Sequence, residues 1–308
     1  MNFPNKPSWA SSKPAVNAGA RSGTLTRVLT AAVLIPVVAA LVWWGPTGLV
    51  AALGAVVAVL ALLEFFSLGA RLNLQAYRWW TSACALGIFF QQWAASEAQT
   101  YQVGRNLRLT QSSATPQLPL ELVLFVFVLG CAAIVFTSKR PLVDALGDLG
   151  ISAAGLVFIA LPLSAVVRIH AVEAIGPQLL LFTLVLVWAG DTLAYFVGRS
   201  FGRMPMAPQL SPKKTWEGAA ANLLGSALVG VFFFRWLNMD AFQAVLMASL
   251  ANIAGQAGDL LKSSYKRGAG VKDSGALLPG HGGILDRIDA LILAAPVVWY
   301  YFRFVLAA

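Results

Sequence analysis

Four aspartates lie within, or at one end of, long apolar segments of the sequence: Asp191, Asp259, Asp286 and Asp289. An ionisable side chain at such a depth is costly, so it indicates a functional site. Asp286 and Asp289 are three residues apart, which places both carboxylates on one helical face, where they repel unless a cation lies nearby. Mg²⁺ meets this need because it prefers carboxylates together with substrate phosphates and water. Ion pairs with lysines or arginines of neighbouring helices remain a structural alternative.

A basic, glycine-rich loop precedes Asp286. Its residues of interest are Ser263, Lys266, Arg267, Lys272, Asp273, His281, Gly282 and Gly283. Glycines let backbone N–H groups approach an anion closely, and the basic side chains neutralise phosphate oxygens. The helix predicted to begin at Ile284 offers its N-terminal dipole to the same anion. His281 is a metal ligand, a phosphate donor or a structural hydrogen-bonding group, and the sequence leaves these roles open.

A second polar loop carries Ser211, Lys213, Lys214, Thr215 and Glu217. The order Ser-Pro-Lys-Lys resembles a helix start with phosphate-binding character. The sequence has no G-x-x-x-x-G-K-[ST] motif, which excludes a P-loop. The two loops together predict a phosphate-binding region beside the aspartates.

The elements that position these residues are apolar segments. Hydrophobic residues make up 58% of the 308-residue chain and charged residues 11%, against about 25% charged residues in soluble domains. Nine segments approach the roughly 20 residues that span a bilayer, and helices are expected because a lone strand would leave backbone groups unpaired in lipid. The segments lie near residues 28–44, 48–68, 79–95, 118–137, 149–167, 179–197, 218–237, 241–261 and 284–306. We predict an all-α, polytopic transmembrane bundle of about nine spanning helices, which excludes a soluble nucleic-acid binder.

Basic residues are distributed unevenly between the connections. With the N-terminus in the cytoplasm, 17 of the 22 Lys and Arg residues fall on the inner side and 5 on the outer side, which supports this orientation and an odd number of spans. Residues 1–26 are predicted to be a disordered cytoplasmic tail, residues 27–177 N-terminal transmembrane helices, and residues 178–308 the catalytic region. The aspartates and both loops then face the cytoplasm. A short chain without a transit peptide predicts a bacterial inner membrane.

Residues 263–289 closely resemble the signature of CDP-diacylglycerol synthases, also called phosphatidate cytidylyltransferases. That signature runs S-x-(apolar)-K-R-x4-K-D and ends in H-G-G-(apolar)-x-D-R-(apolar)-D. Its polar positions are met by Ser263, Lys266, Arg267, Lys272, Asp273, His281, Gly282, Gly283, Asp286, Arg287 and Asp289. Tyr265 stands where the family usually has an aliphatic residue or Phe. Segments beginning at Asp191 and at Ser211 are similar to the same family, with Leu193 where a smaller residue is expected, and the resemblance covers the chain from about Leu179 to the C-terminus.

The resemblance implies a polytopic helical fold, Mg²⁺ dependence, homodimers and a site that opens to the cytoplasm. It implies that Asp259 joins Asp286 and Asp289 as a metal carboxylate, and it allows a second, monovalent cation. The implied partners are CTP, phosphatidic acid and membrane lipids, with no nucleic acid.

The chemistry expected from this resemblance is attack by a phosphate oxygen of phosphatidic acid on the α-phosphorus of CTP, with pyrophosphate leaving. Catalysis is then mostly positioning and charge neutralisation. Residues expected in catalysis are Asp259, Asp286, Asp289, Lys266, Arg267 and Lys272. Residues expected to bind substrate are Ser211, Lys213, Lys214, Thr215, Glu217, Ser263, Asp273, His281, Gly282, Gly283, Arg287 and Asp191. The alternatives are a transporter or flippase, a CTP-dependent lipid-alcohol kinase that would release CDP, and a CDP-alcohol phosphotransferase, whose D-G-x2-A-R motif the sequence lacks.

Overall fold

The structure, a computed structural model, describes residues 20–97, 118–271, 273–275 and 282–306. Residues 1–19, Lys272 and His281, for which the sequence makes predictions, lie outside the described residues. The helices of the described part are α1 (Ala20–Trp44), α2 (Thr47–Ala70), α3 (Arg78–Glu97), α4 (Leu120–Thr137), α5 (Leu142–His170), α6 (Gly176–Phe201), α7 (Trp216–Phe233), α8 (Ala241–Gly268) and α9 (Leu285–Leu306). The predicted all-α class is confirmed.

Seven of the described helices, α2 and α4 to α9, are long and apolar enough to cross a membrane. α1 contributes a shorter apolar stretch, Ala32–Trp44. α3 carries polar side chains that the bundle buries, namely Thr81, Ser82, Gln91 and Gln92. A total of about nine spans is compatible with this arrangement, and the spanning role of α1 and α3 stays a prediction.

Three helix boundaries differ from the predicted ones by more than four residues. α8 continues to Gly268 instead of ending near residue 261. The prediction that Ser263, Lys266 and Arg267 lie in a loop is therefore wrong, because they belong to the last turns of α8.

α1 begins at Ala20, inside the stretch of residues 1–26 predicted to be disordered. The helix therefore includes polar residues that precede its apolar part. α5 begins at Leu142 rather than near residue 149. Its first turns contain Asp148, which interrupts the apolar pattern in the sequence, but this carboxylate is paired with the Arg140 guanidinium in the fold.

The α2–α3 and α4–α5 connections meet at one end of the bundle. The backbone N–H of Gln75 donates to Asp148 Oδ1 at 2.7 Å, and the Arg140 guanidinium pairs with the same carboxylate. The first connection is therefore fixed to the second by a buried side chain of α5, as expected if both lie on one side of a membrane.

The opposite end is marked by the α1–α2 and α5–α6 connections. Gly45 and Pro46 separate α1 from α2. The buried ring of His170, at the end of α5, contacts Thr47 Oγ1 at 3.0 Å and the Val42 carbonyl oxygen at 3.0 Å. These four connections are thus divided between the two ends of the bundle, as expected if the helices cross a membrane one after another.

A short hairpin lies between α6 and α7. Strand β1 (Pro205–Ala207) pairs antiparallel with β2 (Ser211–Thr215). The prediction that Ser211 to Lys214 begin a helix is therefore wrong, because these residues take extended backbone against β1. The helix begins at Trp216, and Thr215 caps it by accepting a hydrogen bond from Gly218 N at 3.2 Å.

Glycines set how closely α6, α7 and α8 pack. A Cβ atom at Gly225 of α7 would lie 2.8 Å from Leu193 Cδ1, so this glycine makes room for the leucine that is larger than expected. A Cβ atom at Gly230 would lie 2.8 Å from the Cα of Val245 on α8. Backbone therefore approaches backbone along the α7–α8 contact, as in other membrane helix pairs with small interface residues.

We expect Gly230→Ala to destabilise the fold by about 1–3 kcal/mol, since the added methyl group meets backbone atoms that cannot rotate away. Gly150→Ala on α5 is the matched control, because a Cβ there meets nothing within 4 Å. Thermal unfolding of both purified variants in detergent measures the difference. A melting temperature for Gly230→Ala equal to that of Gly150→Ala would contradict close α7–α8 packing.

Candidate active site

Three carboxylates converge on the ammonium group of Lys262. Its Nζ lies 3.3 Å from Asp259 Oδ1 and 3.2 Å from Asp286 Oδ1, and it contacts Asp289 Oδ2 directly. The Lys262 side chain is only 9% exposed. The prediction that a cationic group lies near Asp286 and Asp289 is thus correct, although the cation in this structure is a lysine that the sequence analysis did not single out.

The close approach of α8 and α9 brings these groups together. Lys262 follows Asp259 by one helical turn on α8, and Asp289 follows Asp286 by one turn on α9. Gly258 permits the contact, since a Cβ there would lie 2.6 Å from the Asp289 carbonyl oxygen. Two helical turns therefore face each other with their charged side chains inside the contact.

Two further lysines complete the cluster. Lys266 Nζ lies 2.7 Å from Asp286 Oδ1, and Lys214 of β2 pairs with Asp259. The structural alternative, in which lysines neutralise these acids by ion pairs, is thus observed for Asp259, Asp286 and Asp289. Their ion pairs form one shared cluster. Its three carboxylates and three ammonium groups balance in formal charge.

Asp191 lies beside the cluster rather than in it. Its Oδ1 accepts a hydrogen bond from Asn222 Nδ2 at 3.1 Å. Asn222 in turn accepts from Asn252 at 2.5 Å, and Gln256 donates to Asn252 Oδ1 at 2.7 Å. This chain of amides across α6, α7 and α8 escaped the sequence analysis, although polar amides in apolar helices are a known mark of interhelical hydrogen bonding.

A cavity of about 340 Å³ opens between these groups. Its polar lining residues are Asp191, Tyr195, Lys213, Lys214, Thr215, Asn222, Gln256 and Asp259. Helices supply the acids and amides, and the hairpin supplies the two lysines. The volume is within the range of small-ligand sites, and the lysines suit an anionic ligand that contacts both the hairpin and Asp259.

The N-terminus of α9 is occupied by Glu64 of α2. The backbone N–H groups of Ile284 and Leu285 each donate to its carboxylate at 2.9 Å. The prediction that this helix N-terminus binds a substrate phosphate is therefore wrong in this structure, since a protein carboxylate takes its place. Glu64 also lies inside an apolar segment, where an ionisable side chain is costly. The reasoning applied to the four aspartates would therefore have identified it too.

The loop before α9 is held by the carboxylates of Glu64 and Asp286. Ser274 Oγ donates to Glu64 Oε2 at 3.2 Å and lies 2.9 Å from Asp286 Oδ2, and Gly283 N donates to Asp286 Oδ2 at 3.4 Å. A Cβ at Gly283 would lie 2.3 Å from Glu64 Oε2. Gly283 therefore allows the backbone to lie close to the Glu64 carboxylate.

The other predicted residues surround this core. Arg267 Nε donates to the Leu210 carbonyl oxygen at 3.1 Å, which fastens the hairpin to the end of α8. Glu217 accepts from Met204 N at 3.2 Å, within the turn that leads into the hairpin. The remaining placements are Ser211 at the start of β2, Ser263 buried beside Lys262, Asp273 and Arg287 exposed, and Gly282 at a φ of 78° that favours glycine.

In the geometry of this structure, the described residues contain no group of three or more His, Cys, Asp and Glu side chains that could hold a metal ion. The carboxylates of Asp259, Asp286 and Asp289 have the oxygen donors that Mg²⁺ prefers, and they converge on one point. The oxygens therefore fit a divalent cation in donor type, whereas the point on which they converge is taken in this structure by Lys262 Nζ.

Comparisons with known proteins cover nearly the whole chain. Residues 25–305 match the Cytidylyltransferase family. A phosphatidate cytidylyltransferase of Haemophilus influenzae is 36% identical over 294 residues, which is 91% of this chain and 99% of that protein. A protein of the same name from Bacillus subtilis is 31% identical over 59% of this chain and 67% of its own length. The match therefore extends well before Leu179, where the resemblance seen in the sequence begins.

We expect Glu64→Ala to lower the free energy of unfolding by about 3 kcal/mol, because it leaves the backbone N–H groups of Ile284 and Leu285, at the start of α9, without their acceptor. Glu64→Gln keeps one acceptor oxygen and should lose about half as much. Thermal unfolding in detergent measures both changes, with Glu173→Ala, at an exposed position of the opposite end, as control. Equal melting temperatures for Glu64→Ala and the control would contradict the anchoring role of Glu64.

Proposed function

The chain belongs to the cytidylyltransferase family, and from this premise we propose that it transfers CMP from CTP to phosphatidic acid. A phosphate oxygen of phosphatidic acid forms a bond to the α-phosphorus of CTP, the bond from that phosphorus to the bridging oxygen breaks, and pyrophosphate leaves with the electron pair. The products are CDP-diacylglycerol and pyrophosphate. The observation that carries the proposal is the convergence of Asp259, Asp286 and Asp289 beside a lysine-lined cavity of about 340 Å³.

The lysines and arginines of the site hold phosphate groups in this proposal. Lys213 and Lys214 line the cavity from the hairpin, and Lys266 and Arg267 extend from the end of α8. We propose the same phosphate-binding role for Lys272, which lies outside the described residues. The attacking oxygen is already anionic near neutral pH, so the site needs no strong general base, and alignment with charge neutralisation supplies the rate.

Magnesium is part of the proposal, with Asp259, Asp286 and Asp289 as its ligands. When bound, Mg²⁺ supplies charge neutralisation to the phosphates and to the departing pyrophosphate. The convergence of the carboxylates on one point supports this assignment. No residue is assigned to the monovalent cation that the resemblance allows.

We further propose that the site faces the cytoplasm of a bacterium from its inner membrane, and that the enzyme is a homodimer. The excess of Lys and Arg in the connections at the site end supports the cytoplasmic orientation, and the bacterial relatives support the inner membrane. The acyl chains of phosphatidic acid remain among the helices, in lipid.

We expect Asp289→Ala to lower turnover by at least roughly a hundredfold, as the loss of one preorganised electrostatic group does in other enzymes. Purified protein in detergent is given α-labelled CTP and phosphatidic acid, and the liponucleotide is measured. Asp144→Ala is the control, because Asp144 lies on α5 outside the cluster. Near-normal turnover by folded Asp289→Ala protein would contradict its role.

Removal of divalent cations with EDTA should abolish product formation, and added Mg²⁺ should restore it, because the phosphates then regain their counter-charge. The released nucleotide and phosphate products are identified in the same reaction. Full turnover in EDTA would remove Mg²⁺ from the mechanism, and release of CDP instead of pyrophosphate would identify a kinase.

A further inference from the structure

Lys262 has no role in the proposed chemistry, yet it makes more contacts with the carboxylate cluster than any other described cation. Its Nζ contacts all three carboxylates, and its side chain is 9% exposed. Lys214 and Lys266 each pair with a single carboxylate of the cluster. The group at the centre of the proposed metal site is therefore part of the protein chain.

A buried ammonium group is costly unless it is paired and hydrogen-bonded, and the same holds for buried carboxylates. The cluster satisfies both, since three ammonium groups balance three carboxylates. Removing Lys262 would leave a net negative charge that only another cation could offset. Binding a divalent cation without displacing Lys262 would place two positive centres against the same oxygens, which repel strongly at short range.

We propose that Lys262 is a built-in counter-ion of the three carboxylates, which holds them together before a divalent cation binds and leaves them when it binds. The ammonium group and the cation therefore compete for the same oxygens. This inference rests on the Mg²⁺ site of the proposed function and adds a positioning residue to it.

The competition is tested by cation binding in the absence of CTP and lipid, so that turnover plays no part. Mn²⁺ is the probe, and its free concentration is followed by electron paramagnetic resonance in detergent. Lys262→Gln should bind Mn²⁺ at least about tenfold more tightly than the unaltered protein, because the competing charge is gone. Lys262→Arg should bind Mn²⁺ at least about tenfold more weakly, because a guanidinium group donates hydrogen bonds to two carboxylate oxygens at once and is harder to displace. Lys139→Gln, at an exposed position of the α4–α5 connection, is the control and should change nothing.

Unchanged or weaker Mn²⁺ binding by folded Lys262→Gln protein would overturn the inference. If that variant does not fold, Lys262→Arg decides: Mn²⁺ affinity equal to that of the unaltered protein would overturn the inference, and weakened binding would support it. Failure of the proposed function would look different. In that case the unaltered protein would form no liponucleotide, whatever its Mn²⁺ affinity.

Discussion

Carboxylates gathered inside an apolar helix bundle must be matched by positive charge, and the rest of this structure is arranged around that requirement. In low dielectric surroundings an unpaired carboxylate is expensive, and three adjacent ones are more so. The bundle meets the requirement with lysines from two separate elements, Lys262 and Lys266 from α8 and Lys214 from β2. The hairpin is therefore bound to the helices by charge as well as by the Arg267 contact with Leu210.

The same requirement links the two halves of the chain. Glu64 of α2 is a further acid at this end, and it is matched by the backbone N–H groups of Ile284 and Leu285 at the start of α9 and by Ser274 rather than by a cation. Its negative charge at a helix N-terminus is favourable. The first turn of α9, which carries Asp286, is consequently oriented by a residue from the second helix of the chain.

The sequence predicted the helices, and a cationic partner for Asp286 and Asp289, because lipid imposes a strong constraint on apolar runs and on buried acids alike. Long apolar runs must be helical, and an acid such as Asp289 inside one must have a partner. It did not identify Lys262, because one more lysine at the cytoplasmic ends of the spans is expected from topology alone. The hairpin was missed because β1 and β2 are only 3 and 5 residues long, too short for a periodic pattern. The geometry of Asn222 and Asn252 depends on helix packing that no local pattern encodes.

The contact between Glu64 and α9 has a consequence for how the enzyme is made. A ribosome delivers α2 to the membrane early and α9 only after six further helices have emerged, because α2 is the second and α9 the ninth of the described helices. Until then Glu64 has no backbone donors from α9, and Asp259 has no neighbours from that helix. The carboxylate cluster, which needs Asp286 and Asp289 of α9, therefore assembles only after this helix has docked against α8.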